Sequence, residues 1–173
     1  LEVYLLDRSN CRIWGGEGFG ADNGISHIER AVAKRDWFFC MMHGVDEVSF
    51  QPTTAKALAG IVEYLAAHRD TIWTETYGTV GRYVKERVMA DLRFREETAS
   101  AFEVRLMLPK RDASVETPHV PLTLRIAIDE HDGGLAKAYR DDKEVPMALS
   151  RDGDYLLVDC VPNGAWTKIV WGE

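Results

Sequence analysis

A chain of 173 residues with 46% hydrophobic side chains can bury a core, and its length suits one ordinary domain or two small ones. That excludes a disordered tail and a large multidomain enzyme. Lys and Arg number 21 against 28 Asp and Glu, and the resulting net charge of −7 argues against nucleic acid as a partner. No apolar run approaches the roughly 18 residues of a spanning helix, so no membrane partner is expected. Three cysteines, Cys11, Cys40 and Cys160, have neither the CxxC spacing of a zinc ribbon nor the even count of a disulfide framework. Buried small apolar residues or incidental thiols are the simple reading of them.

The chain opens on Leu1-Glu-Val-Tyr-Leu-Leu-Asp7, apolar enough for a buried strand, with no basic leader and no initiator Met. It therefore reads as a piece that begins inside an element, a fragment or a processed product. A glycine-rich stretch follows (Gly15, Gly16, Gly18, Gly20, Gly24), and Ser26-His-Ile-Glu29 has capping-box spacing for a helix through Ile28, Ala31 and Val32. The glycines lack the tight strand–Gly–helix junction of a dinucleotide loop and read as a surface loop. Trp37-Phe-Phe-Cys-Met-Met-His43 is apolar on consecutive positions, as in a parallel strand covered on both faces. Pro52-Thr53 starts a helix with Ala55, Leu58, Ala59, Val62, Leu65 and Ala66 at the 3.6 period. A short strand over Thr71–Thr76 and a helix capped by Gly78-Thr79, with Val80, Tyr83, Val84 and Val88 on one face, complete a run of βα units over residues 1–95.

From about residue 99 the period changes to 2. Phe102, Val104, Leu106 and Leu108 alternate with polar or outward positions, as do Leu122, Leu124, Ile126 and Ile128. Further strands are expected at Leu135–Tyr139, Val145–Leu149, Tyr155–Cys160 and Trp166–Trp171. Turn residues separate them at Gly133-Gly134, Asp141-Asp142, Asp152-Gly153 and Asn163-Gly164. Residues 99–173 thus read as a small antiparallel β-sandwich, with the charged stretch Arg93–Glu97 as the boundary. Asp129-Glu-His-Asp132 reads as a turn rather than a metal cluster. Trp166 and Trp171, five apart, point to opposite faces of one strand.

Three βα units are too few to close a barrel. Their sheet needs completion from outside the chain or from a second copy by strand exchange, giving a homo-oligomer.

The stretch from Ile28 to Arg87 resembles the C-terminal part of the polysaccharide deacetylase (NodB-homology) family. The resemblance lies in order and spacing: a helix ending Ala33-Lys-Arg-Asp36, a strand with Phe39, Met41 and His43 in an apolar-x-apolar-x-His pattern followed by Gly44, a helix through Tyr64-Leu65, the Trp-bearing Ile72-Trp73-Thr74, and a helix with Tyr83-Val-Lys-Glu-Arg87. The second half, particularly Val120-Pro-Leu-Thr-Leu-Arg125, is similar to the small β domain appended to some members.

The resemblance implies a partial, NodB-like deformed β/α barrel followed by an all-β sandwich. It implies hydrolysis of acetyl groups from a polysaccharide or oligosaccharide, by a carbohydrate deacetylase or acetyl esterase using a divalent metal, Zn²⁺ as the expected ion. In that chemistry an Asp is the general base and a His protonates the leaving amine or hydroxyl. His43 matches the acid, and Trp37 and Trp73 are the candidate walls of an acetyl or sugar pocket. A sugar-polymer substrate would favour a secreted or periplasmic location. The family's Thr-Phe-Asp-Asp-Gly and His-x-x-x-His motifs, which supply the base and metal ligands, do not occur here, and no metal ligand is assigned to this chain. Asp46 and Glu47 stand just beyond His43, where they could tune it or simply be solvated.

The bland alternatives are a strand-end histidine at 43 and core packing by both tryptophans. The corresponding alternative function is a non-catalytic carbohydrate- or protein-binding module on a degenerate deacetylase scaffold.

Overall fold

The computed structural model describes residues 11–98, 100–109, 119–128, 136–150 and 153–171. The expected strand at 1–6, the Asp129–Asp132 turn and Gly133-Gly134 lie outside them. The chain divides into two compact units, Leu1–Tyr77 and Gly78–Glu173.

The first unit is α/β. Strands β1 (Cys11–Ile13) and β2 (Phe39–Met41) pair in parallel, with Arg12 opposite Cys40. The Trp14 N–H donates to the Met41 carbonyl at 2.9 Å and extends the pairing. Helices α1 (Ala21–Lys34) and α2 (Ala55–Ala67) pack on each other. Helix α1 starts five residues ahead of the expected Ser26 cap. Gly20 is its extended N-cap, and Asn23 Oδ1 accepts the Gly20 N–H at 2.9 Å. Gly24, expected in the loop, is inside the helix because a Cβ there would come 2.5 Å from Ile61 Cδ1 on α2. The close helix contact offsets glycine's poor helix propensity.

That contact also sets which face of α2 is buried. Ala57 and Ile61 lie in the core, one position round from the expected Leu58–Val62 stripe, and Val62 is 54% exposed. Among the described residues no barrel closes. Thr71–Thr76, expected as a strand, lies outside the sheets of the described residues.

The second unit opens with α3 (Tyr77–Met89), whose first turn contains Gly78 and Thr79 rather than being capped by them. Two antiparallel sheets follow. One has five strands in the order β3 (Asp91–Thr98), β4 (Ala101–Met107), β10 (Thr167–Val170), β6 (Lys137–Arg140) and β7 (Lys143–Val145). The other has the order β5 (Leu122–Ala127), β9 (Tyr155–Cys160) and β8 (Met147–Leu149). Both contribute to a single core, with Val104, Leu106, Ile169 and Trp171 from the first and Leu122, Leu156 and Val158 from the second.

The charged stretch 93–97, expected as the boundary, is part of a strand. It lies in β3, paired to β4 with Arg93 opposite Arg105 and Arg95 opposite Glu103, because Leu92 and Phe94 alternate with the arginines at the strand period. The expected single strand Val145–Leu149 is two strands in different sheets. Pro146 lacks the N–H that a continuous ladder requires and stands where the chain crosses over. Asp141 and Asp142, at φ 49° and 58°, make the two-residue turn between β6 and β7.

Candidate active site

The two faces of β2 are unlike. Phe38 and Cys40 join the core that Trp14, Ile28 and Ile61 form with the helices, and Phe38 packs tilted against Trp14 with centroids 5.5 Å apart. Side chains alternate along a strand, so Trp37, Phe39 and Met41 take the face opposite the helices. There Phe39 meets Tyr77 edge-on at 5.3 Å and Trp37 lies 5.4 Å from the same ring. Met41, further along, is 42% exposed. His43 lies two residues past the carboxyl end of β2, at a bend, and is exposed. Carboxyl ends of parallel strands are where α/β proteins build their sites.

The segment that carries His43 is tied down. Thr53 donates its N–H to the Gly44 carbonyl and Asp46 donates to the Thr53 carbonyl, both at 3.0 Å, which closes the loop 44–53 on itself. Asp46, at φ 52°, accepts the Ala55 N–H on Oδ1 at 3.0 Å, and Thr54 Oγ1 accepts the Ala57 N–H at 3.1 Å. Two of the unsatisfied donors at the start of α2 are thereby met. The Asp46 carboxylate, read from sequence as either tuning His43 or simply solvated, serves here as a helix cap. Glu47 folds back instead, since a Cβ on Gly44 would come 2.6 Å from its Oε1. The loop after β1 is fastened to the same loop, with the Gly16 N–H donating to the Pro52 carbonyl at 3.1 Å.

Gly15, at φ 153°, allows this junction, because a Cβ there would fall 2.0 Å from the Gln51 carbonyl oxygen. The ring of Phe50 meets the His43 imidazole edge-on at 5.3 Å.

Three buried polar atoms of these two loops, Trp14 Nε1, Ser49 Oγ and Thr53 Oγ1, have no hydrogen-bond partner among the described residues. Buried polar groups are nearly always satisfied by protein, water or ligand.

Of the three residues singled out from sequence, the structure puts only His43 on these loops. Trp37 precedes the amino end of β2, six residues and about 20 Å of extended chain from His43, and packs on Phe39 and Tyr77. Trp73 lies in the extended segment between α2 and α3 and is 54% exposed. Phe50, Gln51 and the capping role of Asp46 were not foreseen. The available signal was the Pro52-Thr53-Thr54 run, which marks a capped helix start and so a loop short enough to return to the strand end.

In the second unit, sequence reasoning also passed over Glu86. It is buried on α3, accepts the Val120 N–H on Oε2 at 3.0 Å and faces His119 Nδ1 at 3.2 Å. Among the described residues no three His, Cys, Asp or Glu side chains gather as a metal site requires. No protein-family model matches the sequence, and no curated protein matches it.

Proposed function

We propose that this chain is the C-terminal portion of a carbohydrate deacetylase or acetyl esterase of the polysaccharide deacetylase type, followed by a β-rich domain, and that His43 is its general acid. One observation carries the reading. The helices cover one face of β2, and the opposite face holds Phe39 and Met41 and runs out to His43 at the carboxyl end. In a β/α barrel the helices are outside, so that second face is the interior and His43 stands at the mouth.

The described residues do not make up the ligand set of the divalent metal that this family uses, so only the step that belongs to His43 is assigned. An imidazolium there, at the rim and held beside Phe50, delivers its proton to the nitrogen or oxygen of the sugar as the acyl carbon releases it. The anchored 44–53 loop fixes where the ring stands, which is the positioning an acid needs to act on one bond. Phe39 and Met41 supply the apolar strand face that leads toward it.

The test is acetate release from acetylated xylan and from acetylated chitooligosaccharides by the protein, with Zn²⁺ or with chelator, for wild type and His43→Ala. Release that falls about 100-fold or more in the variant is expected. Equal release by the variant would overturn the role of His43, and no release from either substrate would overturn the enzymatic reading.

A further inference from the structure

One edge of the five-stranded sheet is β3, and no strand pairs with its outer side among the described residues. It is eight residues long and contains no proline, whereas β7 at the opposite edge has three residues. Natural sheets keep free edges short, broken or covered, because an open row of N–H and C=O groups pairs with any suitable strand. Here every side chain from Asp91 to Arg95 is exposed.

The apolar residues of β3 sit on the core side of the sheet. Leu92 stands opposite Leu106 and Phe94 opposite Val104, and directly opposed residues share a face. Leu106 and Val104 are buried, but Leu92 and Phe94 are 53% and 70% exposed. The apolar row therefore continues past the point where the core is covered. Charge on an edge strand ordinarily repels a second strand. On β3 it is muted, since Arg93 pairs with Asp91 at 2.7 Å and Arg95 with Glu103.

We infer that the occupant of this edge is a second copy of the chain, whose β3 pairs antiparallel with β3 about a two-fold axis level with Arg93. An axis normal to the sheet sets residues of one face opposite each other, so it lies level with a residue and not between two. Level with Arg93, it places Leu92 against the partner's Phe94 and Asp91 against the partner's Arg95, each twice. The first is an aliphatic–aromatic pair on the core side and the second a pair of opposite charges, both favourable across strands. The two Arg93 side chains that meet at the axis each keep Asp91 beside them.

Other axes are worse. Level with Phe94, Arg93 would face the partner's Arg95 twice. Level with Arg95, the pairing would run into the register shift between Glu96 and Thr98. Level with Leu92, only Asp91, Leu92 and Arg93 of the strand would pair among themselves. The match of β3 to its own reverse is what selects a second copy over an unrelated strand. The two five-stranded sheets become one, and the apolar row is covered. A seam this short is smaller than the roughly 800 Å² per partner of a standard interface, so micromolar association is expected. The inference does not depend on the role of His43.

Sedimentation velocity of the whole chain from about 1 to about 500 µM should show one chain giving way to two. Phe94→Lys removes both aromatic contacts, because a substitution acts twice in a two-fold dimer, and should weaken association about 10- to 100-fold. Phe94 is exposed in the single chain, so at low concentration the variant should melt with wild type, which separates loss of pairing from loss of fold. Cysteine linking reads the register. Arg93→Cys should form a disulfide between copies under mild oxidation, since directly opposed Cα atoms lie about 4.5–5.5 Å apart. Arg95→Cys, two positions from the axis, should link no faster than wild type. A single chain at every concentration, a dimer indifferent to Phe94→Lys, or linking by Arg95→Cys in place of Arg93→Cys would overturn the inference.

Discussion

Glu86 offers the sharpest test of how the second unit is held together. Its carboxylate is fully buried on α3, within a helix whose sequence promised only an apolar stripe of valines and Tyr83. It receives the Val120 N–H at 3.0 Å and stands 3.2 Å from His119 Nδ1, so one side chain joins the helix to the segment entering β5. A hydrogen bond to a charged group contributes about 1.5–3 kcal/mol, and a buried N–H left without an acceptor costs about 1–3 kcal/mol. Glu86→Ala should therefore destabilise by about 3–5 kcal/mol, a large share of the roughly 5–15 kcal/mol available to a domain.

Glu86→Gln keeps an oxygen for the Val120 N–H and nearly the same volume, so it should cost only about 1–2 kcal/mol. Urea denaturation read by circular dichroism and tryptophan fluorescence measures both. With a slope near 2 kcal/mol per molar, the alanine variant should lose roughly 2 M of midpoint. A double-mutant cycle with His119→Ala should return a coupling of about 0.5–3 kcal/mol. An alanine variant within about 0.5 kcal/mol of wild type would refute the reasoning, because that is the range of ordinary surface substitutions.

Two further expectations concern the loops around His43. Gly15→Ala places a methyl 2.0 Å from the Gln51 carbonyl oxygen in a backbone conformation hostile to side chains. It should cost about 1–3 kcal/mol and lower the melting temperature, and an unchanged melting curve would show that the junction of the two loops yields freely. Thr54→Ala removes the cap that accepts the Ala57 N–H and should cost about 1 kcal/mol, with Thr54→Ser restoring most of it. Thermal unfolding of the three chains side by side distinguishes these outcomes.

The elements that sequence made legible are those whose periodicity is set within the element. β9 runs over Tyr155–Cys160 as its alternation predicts, and β5 begins at Leu122 with alternating burial. Trp166 and Trp171 take opposite faces, one against arginines and one in the core. What was not legible depends on a neighbour. Gly24 belongs to a helix only because Ile61 approaches it, and the buried face of α2 is rotated by the same contact. Residues 93–97 read as a charged boundary stretch, and their place in a strand depends on β4, which sets Glu103 and Arg105 opposite Arg95 and Arg93. At the candidate site, the strand leading to His43 could be read, although it was expected over Trp37–His43 and ends at Met41, two residues short of the histidine. The closure of the 44–53 loop could not, because its bonds join the ends of the loop and return it to the residues after β1.

The residues that break local rules fall into two groups, and the division bears on function. Gly24 inside a helix and Glu86 inside an apolar stripe are both answered within the fold, one by a close helix contact and the other by a buried amide and an imidazole. Proteins hold such costs down elsewhere in the structure, and these two need no ligand to explain them. The side-chain polar atoms of Arg105, Trp14, Ser49 and Thr53 are not answered in that way, since among the described residues they meet no partner. Replacing such a group with an apolar one of similar size is close to neutral or stabilising. Arg105→Met, which removes a buried Nε that has no acceptor among the described residues, should on that reasoning unfold no earlier than wild type in a thermal scan. A melting temperature lowered by the change would instead mark Arg105 as a structural residue.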